Sequence, residues 1–230
     1  MRLDKYLSEL GVSSRKDAKA LVRQGKITVN GKKADKAEQK IDPEKDSVCL
    51  NGVLLEYSEF EYYLLNKPAG YVSATKDNVY PTVIDLIDSD RKNLAPVGRL
   101  DVDTEGLLLI TNDGMLSHEM LSPKKHVAKT YYAQIDGIVT EEDVDRFSVG
   151  VDIGDEKPTL PSSLQILSVD ETNSKSEINL TITEGRYHQV KRMFESVGKK
   201  VTYLKRISFG PLTLPKDLAL GEFVKISKPM

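Results

Sequence analysis

The sequence predicts an α+β protein in two parts. Two short helices and a small sheet come first, and a longer domain with a mixed, largely antiparallel sheet flanked by helices follows. Three observations carry this. Helical spacing with end signals occurs only in short stretches, two of them within residues 3–24. Asn-Gly pairs at 30–31 and 51–52 mark tight hairpins. From residue 60 onward, strand patterns follow one another with no regular strand–helix alternation and no internal repeat, which disfavours a doubly wound sheet.

Each element has a local reason. Leu3, Tyr6, Leu7 and Leu10 recur at helical spacing, and Gly11 stops that helix. Ser13 or Ser14 caps a second helix over about 15–24, with Asp17 three residues after Ser14. "ITVNGKKA" and "VCLNGVLL" each read as strand, turn and strand, closing a first unit at 1–57. The second part is expected over 60–230, after a linker near 56–60. "EYYLLNKPAGYVSA" opens it as an apolar strand that ends at Lys67-Pro68, and "TVIDLI" reads as a short helix. "GLLLITND" is a buried strand closed by an Asp113-Gly114 turn. "KTYYAQIDG" alternates, with Tyr131, Ala133 and Ile135 on one face. Thr140 caps "TEEDVDRF" as a helix, and "SLQILSVD" pairs with "SEINLTIT". "YHQVKRMFESVG" is a helix ended by Gly198, and "VTYLKRISF" and "GEFVKIS" are the last strands.

Composition narrows the class. With 230 residues, 39% of them hydrophobic, the chain can bury a substantial core. No apolar stretch approaches the roughly 18 residues that span a bilayer. The start has no apolar signal-peptide core, so a cytoplasmic protein without a membrane partner is expected. The single cysteine, Cys49, excludes an internal disulfide and is expected in the core. The net charge of −2 hides an asymmetry. Residues 1–40 hold eleven basic and five acidic residues, a local balance of +6, which leaves −8 for the rest. A basic end on an acidic chain suits a polyanion-binding module, or else a solvated helix face.

Cofactor signals are missing. His118, His126 and His188 lack zinc-like spacing. There is no phosphate-binding loop, no dinucleotide fingerprint and no Gly-x-Ser-x-Gly elbow, so neither a metal nor a nucleotide cofactor is expected. Carboxylates remain. In "GRLDVDTEGLLLITNDG" (98–114), Asp101 and Asp103 stand directly before an apolar run. Two apart in an extended segment, they would face the same way. They could divide acid and base roles, as in glycosidases. Equally, one could cap the next turn while the other pairs with Arg99.

Two resemblances add what spacing leaves open. "RLDKYLSELGVSSRKDAKALVRQGKITVNGKKA" (2–34) resembles the small RNA-binding module first recognised in ribosomal protein S4. In that family the basic second helix and the following loop contact RNA phosphates. This implies Arg15, Lys16, Lys19 and Arg23 as RNA-binding residues, with Arg2 and Lys5 beside them.

The stretch 98–114 resembles the signature of the bacterial pseudouridine synthases that modify ribosomal RNA. "NKPAGYVSA" (66–74), "KTYYAQIDG" (129–137), "EGRYHQVKRMFESVG" (184–198) and "LKRISFGPLTL" (204–214) resemble the family's other motifs, in the family's order. The Tyr-His-Gln-Val-Lys-Arg-Met form behind an S4-like unit is similar to the branch acting on small-subunit 16S ribosomal RNA, the pseudouridine synthase A family. Related large-subunit enzymes tend to carry Arg where this chain has Lys191.

The resemblance implies an isomerase without a cofactor that acts as a monomer on ribosomal RNA or a small-subunit assembly intermediate. It breaks the bond from uracil N1 to the ribose and rejoins the base through C5. Asp101 becomes the nucleophile, with attack on the ribose, attack on the base and abstraction of a sugar proton all open. Lys191 becomes the cation that keeps the carboxylate ionised. Tyr131 stacks on the flipped uracil, Leu204 packs against it, and Arg99 organises the loop or binds phosphate. Phosphate contacts are further expected from Arg186 and Arg192. Three rival readings remain: a large-subunit ribosomal RNA pseudouridine synthase of the same superfamily, a non-catalytic RNA-binding assembly protein, and a glycoside hydrolase in which Asp103 matters as much as Asp101.

Overall fold

The structure is a computed structural model and describes residues 1–55, 57–89, 91 and 93–229. The chain forms two compact units, Met1–Phe60 with Asp88–Leu94, and Glu61–Ile87 with Ala95–Met230. The sequence reading left 88–94 in the second part. The structure places it in the first, where Arg91 lays its guanidinium 5.3 Å from the Tyr57 ring centroid and donates to the Ser58 carbonyl. In the expected linker near 56–60, Glu56 lies outside the described residues.

In the first unit, helix α1 (Leu3–Glu9) buries Leu3, Tyr6 and Leu7. Gly11 follows with φ +71, a left-handed conformation that costs glycine little. Helix α2 (Arg15–Arg23) is capped by Ser14, whose Oγ accepts from the Asp17 amide at 3.1 Å and donates to the Asp17 carboxylate at 2.6 Å. Strands β1 (Ile27–Val29), β2 (Lys32–Lys33), β3 (Val48–Leu50) and β4 (Val53–Leu54) form an antiparallel sheet in the order β2-β1-β3-β4. Its tight turns are Asn30-Gly31 and Asn51-Gly52, with all four residues at positive φ, as a type I′ turn requires. Ala18, Val22, Ile27 and Val48 close the core against α1. Cys49 is half-buried rather than in that core.

The second unit is built on one mixed sheet. Its strands are β5 (Tyr62–Lys67), β6 (Ala95–Pro96), β7 (Glu105–Thr111), β8 (Lys129–Asp136), β9 (Ser163–Asp170), β10 (Lys175–Ile182), β11 (Lys200–Phe209), β12 (Leu212–Thr213) and β13 (Phe223–Ile226). They run in the order β13-β5-β7-β11-β8-β10-β9, with β6 on β7 and β12 on β11. The β7–β11 pair is parallel and the others are antiparallel, the mixed character the sequence predicts. Leu107–Ile110 on β7 are fully buried, which explains a strand apolar at every position.

Helix α4 (Glu141–Val149) and helix α5 (Gln189–Glu195) pack Phe147 against Phe194, edge to face. "TVIDLI" forms a single 3-10 turn, Val83–Leu86, with Thr82 and Asp85 as a capping box. The expected Asp113-Gly114 turn is instead a helix start. Asp113 caps helix α3 (Gly114–Leu121) by accepting from the Leu116 amide at 2.9 Å. That helix has only a weak apolar stripe, so its sequence gave little periodic signal.

Candidate active site

The site forms where one row of residues crosses the sheet. Lys67 on β5 pairs with Gly106 on β7, Gly106 with Arg206 on β11, Arg206 with Tyr131 on β8, and Tyr131 with Leu180 on β10. Directly opposed residues project to the same face. Leu204, two residues before Arg206, joins them. The row puts a tyrosine, a leucine and a buried guanidinium on one wall of a pocket of about 470 Å³, the size of a small-molecule site.

Asp101 also lines this pocket. Its segment is a turn rather than the extended stretch expected, with the Thr104 amide donating to the Asp101 carbonyl at 3.1 Å. Asp101 and Asp103 nonetheless converge on one cation. Lys191 Nζ lies 2.7 and 2.8 Å from the two Asp103 oxygens and 3.6 Å from Asp101 Oδ2. His188 Nε2 lies 3.6 Å from Asp101 Oδ1. The Asp101 side chain remains 31% exposed, so it faces the pocket rather than an apolar core.

Burial disfavours ionisation of Asp103, but hydrogen bonding to the Lys191 ammonium and its charge together outweigh this, and the carboxyl is held below the usual range. Neither aspartate pairs with Arg99, which is exposed and lines the pocket.

The backbone of this turn is pinned by "NKPAGYVSA". Lys67 is completely buried. Its Nζ donates to the carbonyls of Pro68 (3.0 Å), Asp101 (3.1 Å), Val102 (3.4 Å) and Thr104 (2.7 Å). Burial pushes this ammonium down to about 8, against the pull of Asp103, Glu105 and Asp101. Gly70 donates its amide to Val102 at 2.7 Å. Ser73 Oγ donates to the Leu100 carbonyl and accepts from the Leu100 amide, both at 3.0 Å. Two segments nearly thirty residues apart in sequence therefore form one rigid piece, as a preorganised site requires.

Arg206 is 2% exposed. Its Nε donates to the Leu107 carbonyl at 2.9 Å, and its guanidinium lies 4.7 Å from the Phe209 centroid. Tyr131 pairs with it across the strands, and both line the pocket.

Asp101, Tyr131, Lys191, Leu204 and Arg99 thus line one pocket. Arg186 and Arg192, from which phosphate contacts are expected, have hydrogen-bond partners within the protein. Arg186 bonds Glu184 (3.0 Å) and the carbonyls of Lys157 and Pro158 (both 2.7 Å). Arg192 bonds Asp155 (2.6 Å) and the carbonyls of Ile153 and Tyr187. Together they clamp residues 153–158 onto the start of α5.

In the first unit, Arg15, Lys16 and Arg23 are exposed. Arg2 is held by Asp4 (2.6 Å), Lys5 by Glu9 (3.5 Å) and Lys19 by Glu38 (2.8 Å).

Sequence reasoning gave Lys67 only a structural place at a Lys-Pro turn and assigned no role to Ser73, His188 or Arg206. Two signals were available: a lysine ending an otherwise apolar strand, and an arginine in phase with Leu204 on an alternating one.

Tyr131, Leu204 and an ion-paired aspartate line one small-molecule-sized pocket, an arrangement that suits an enzyme site. Residues 61–196 match the RNA pseudouridylate synthase family, and residues 1–47 match the S4 domain. The chain belongs to the RNA pseudouridylate synthase family and is a pseudouridine synthase carrying an S4 domain.

It is 44% identical over 230 residues to the Uncharacterized RNA pseudouridine synthase YtzG of Bacillus subtilis (strain 168), covering 99% of this chain and 95% of that one. It is 41% identical over 226 residues to the Ribosomal small subunit pseudouridine synthase A of Escherichia coli (strain K12), covering 97% and 95%. A crystal structure of a pseudouridylate synthase superposes with a TM-score of 0.68 at 38% identity, covering 99% of this chain and 96% of the other. Among the described residues, no helix is long and apolar enough to cross a membrane.

Proposed function

We propose that this chain converts one uridine of small-subunit ribosomal RNA to pseudouridine, with Asp101 as the nucleophile. The observation that carries this is the placement of the Asp101 carboxylate: 3.6 Å from both Lys191 and His188, in a pocket shared with Tyr131 and Leu204, on a backbone fixed by Lys67 and Ser73. The relative named for the small ribosomal subunit supports the choice of RNA.

The uridine enters unstacked from its RNA, as chemistry on a base within a fold requires. Tyr131 stacks on it and Leu204 packs against it. Lys191, shared with Asp103, keeps positive charge beside the reacting carboxylate. The N1–C1′ bond breaks, a C5–C1′ bond forms, and the hydrogen at C5 is replaced by one at N1. Atoms and electrons balance within the nucleotide, so no cofactor is consumed. The exposed Arg15, Lys16 and Arg23 supply sequence-independent RNA affinity from the first unit. The domains are taken as 1–57 and 60–230, with 88–94 grouped with the first, and the protein acts as a cytoplasmic monomer on RNA or an assembly intermediate.

The test is carbodiimide primer-extension mapping of small-subunit RNA from cells with and without the gene. A single stop that vanishes on deletion, and returns with wild type but not with Asp101→Asn, is expected. An unchanged pattern moves the substrate to large-subunit RNA. No change there either leaves an RNA-binding assembly protein.

A further inference from the structure

Tyr187 is 71% exposed, although large aromatic rings are ordinarily well covered. Its ring stacks on the His188 imidazole, with centroids 3.8 Å apart and planes 17° from parallel. His188 has φ +47, a conformation uncommon for a residue with a side chain, and its Nε2 reaches to 3.6 Å from Asp101. The stack therefore runs outward from the reactive carboxylate, its inner ring at Asp101 and its outer ring open to solvent.

The stack is also braced. The Tyr187 carbonyl accepts from Arg192 at 3.1 Å, and the Arg186 amide donates to the buried Gln189 side chain at 2.9 Å. Both rings line the pocket, as do Ser122 and Pro123, which lead directly into the exposed Lys124 and Lys125. An uncovered π-face on a rigid turn, sharing a pocket with a segment that carries exposed cations, has the chemistry that binds an unpaired nucleobase and its phosphate.

We propose that the outer face of Tyr187 is a second base-binding subsite, which receives the unpaired nucleobase next to the uridine held over Asp101. This rests on the reading of the pocket as a uridine site. It predicts that the substrate presents two adjacent unstacked nucleotides, and that the identity of the flanking position matters through its π-face rather than through a hydrogen-bond code.

The experiment uses the full chain and an RNA stem-loop containing the modified uridine, with 2-aminopurine placed on either side of it. Binding to wild type and to Tyr187→Phe is expected to quench one of the two probes, and binding to Tyr187→Leu to leave both bright. The kcat/KM of Tyr187→Leu is expected to fall about tenfold or more, with Tyr187→Phe within about twofold of wild type. An abasic nucleotide at the quenched position should cost wild type the same factor and Tyr187→Leu nothing further. Equal abasic costs in both proteins, or quenching that survives in Tyr187→Leu, overturn the subsite. Quenching by a wild-type protein that converts no uridine overturns the pseudouridine reading and leaves the subsite standing.

Discussion

The ammonium of Lys67 lies 3.1 Å from the carbonyl oxygen of Asp101, so a buried cation fixes the main chain of the residue whose side chain faces the pocket. The same ammonium reaches the Thr104 carbonyl at 2.7 Å and so closes the turn between them. Lys67→Met keeps most of the apolar stem and removes every donor. We expect kcat to fall about a hundredfold, the usual result of a small misplacement of a reacting group, with RNA affinity within about twofold of wild type. Single-turnover conversion and filter binding measure the two. An unchanged kcat would remove Lys67 from the positioning of Asp101.

The same lysine gives activity and stability opposite responses to pH. Its folded pKa is about 8, below the 10.5 of a free lysine, so between these values the unfolded chain holds more protons at this site. Its contribution to stability is therefore fully present above 10.5 and is lost as pH falls through about 8. Over the window from 8 to 10.5, this contribution grows with pH while the deprotonated amine, without its charge and one of its three donors, holds the turn carbonyls more weakly. kcat should decline above about 8 as the difference between the urea-unfolding free energies of wild type and Lys67→Met shifts in favour of wild type. Parallel losses of activity and of that difference would contradict the assignment.

Asp101 and Asp103 share Lys191 unequally, Asp103 holding it at 2.7 Å and Asp101 at 3.6 Å. In the proposed chemistry only Asp101 reacts. Asp101→Asn should lower turnover by more than about a thousandfold with RNA binding kept, since phosphate contacts dominate affinity. Asp103→Asn should cost no more than about tenfold. Comparable losses would favour a carboxylate pair of the glycosidase kind.

How legible was this arrangement? The capping at Ser14, the two Asn-Gly turns and the inward face of Tyr131, Ala133 and Ile135 follow from local rules and were readable directly. Helix α3 was not, because Gly114–Leu121 carries little apolar periodicity and Asp113-Gly114 also reads as a turn. Bare spacing left Asp101 and Asp103 equivalent, and resemblance separated them. The role of Lys67 was hidden for a different reason. It depends on contacts across 34 to 37 positions of sequence, which no local pattern encodes. The pairing of Arg186 and Arg192 with Asp155 was not legible either, because a basic residue at a helix start looks the same whether it faces phosphate or a carboxylate 31 to 37 positions away.

Arg15, Lys16 and Arg23 remain exposed on the first unit, whereas Arg186 is committed to Glu184 and to backbone carbonyls. The two groups should respond differently. Arg15→Glu with Lys16→Glu should weaken RNA binding and flatten the dependence of log K on log salt by about 1.5 to 2, leaving kcat at saturating RNA near wild type. Arg186→Met should instead lower the melting temperature and leave the salt slope unchanged. The reverse pattern would place Arg186 among the phosphate-binding residues.

The row from Lys67 to Tyr131 depends on Gly106. Its φ is +101, and a Cβ there would lie 2.3 Å from the Arg206 carbonyl oxygen and 2.8 Å from the Arg206 nitrogen. Both obstacles are backbone, fixed by the parallel pairing of β7 with β11. Strain and clash therefore act together, and relief requires the strands to separate. Gly106→Ala should cost about 3 kcal/mol or more. Gly98→Ala is the control: its φ is +76, yet its Cβ would meet only the end of the Leu121 side chain at 2.9 Å, which can swing away. It should fold with a milder loss. Urea midpoints of the two variants test this, and a Gly106→Ala protein as stable as Gly98→Ala would mean that β7 and β11 do not approach as closely at Arg206 as the fold requires.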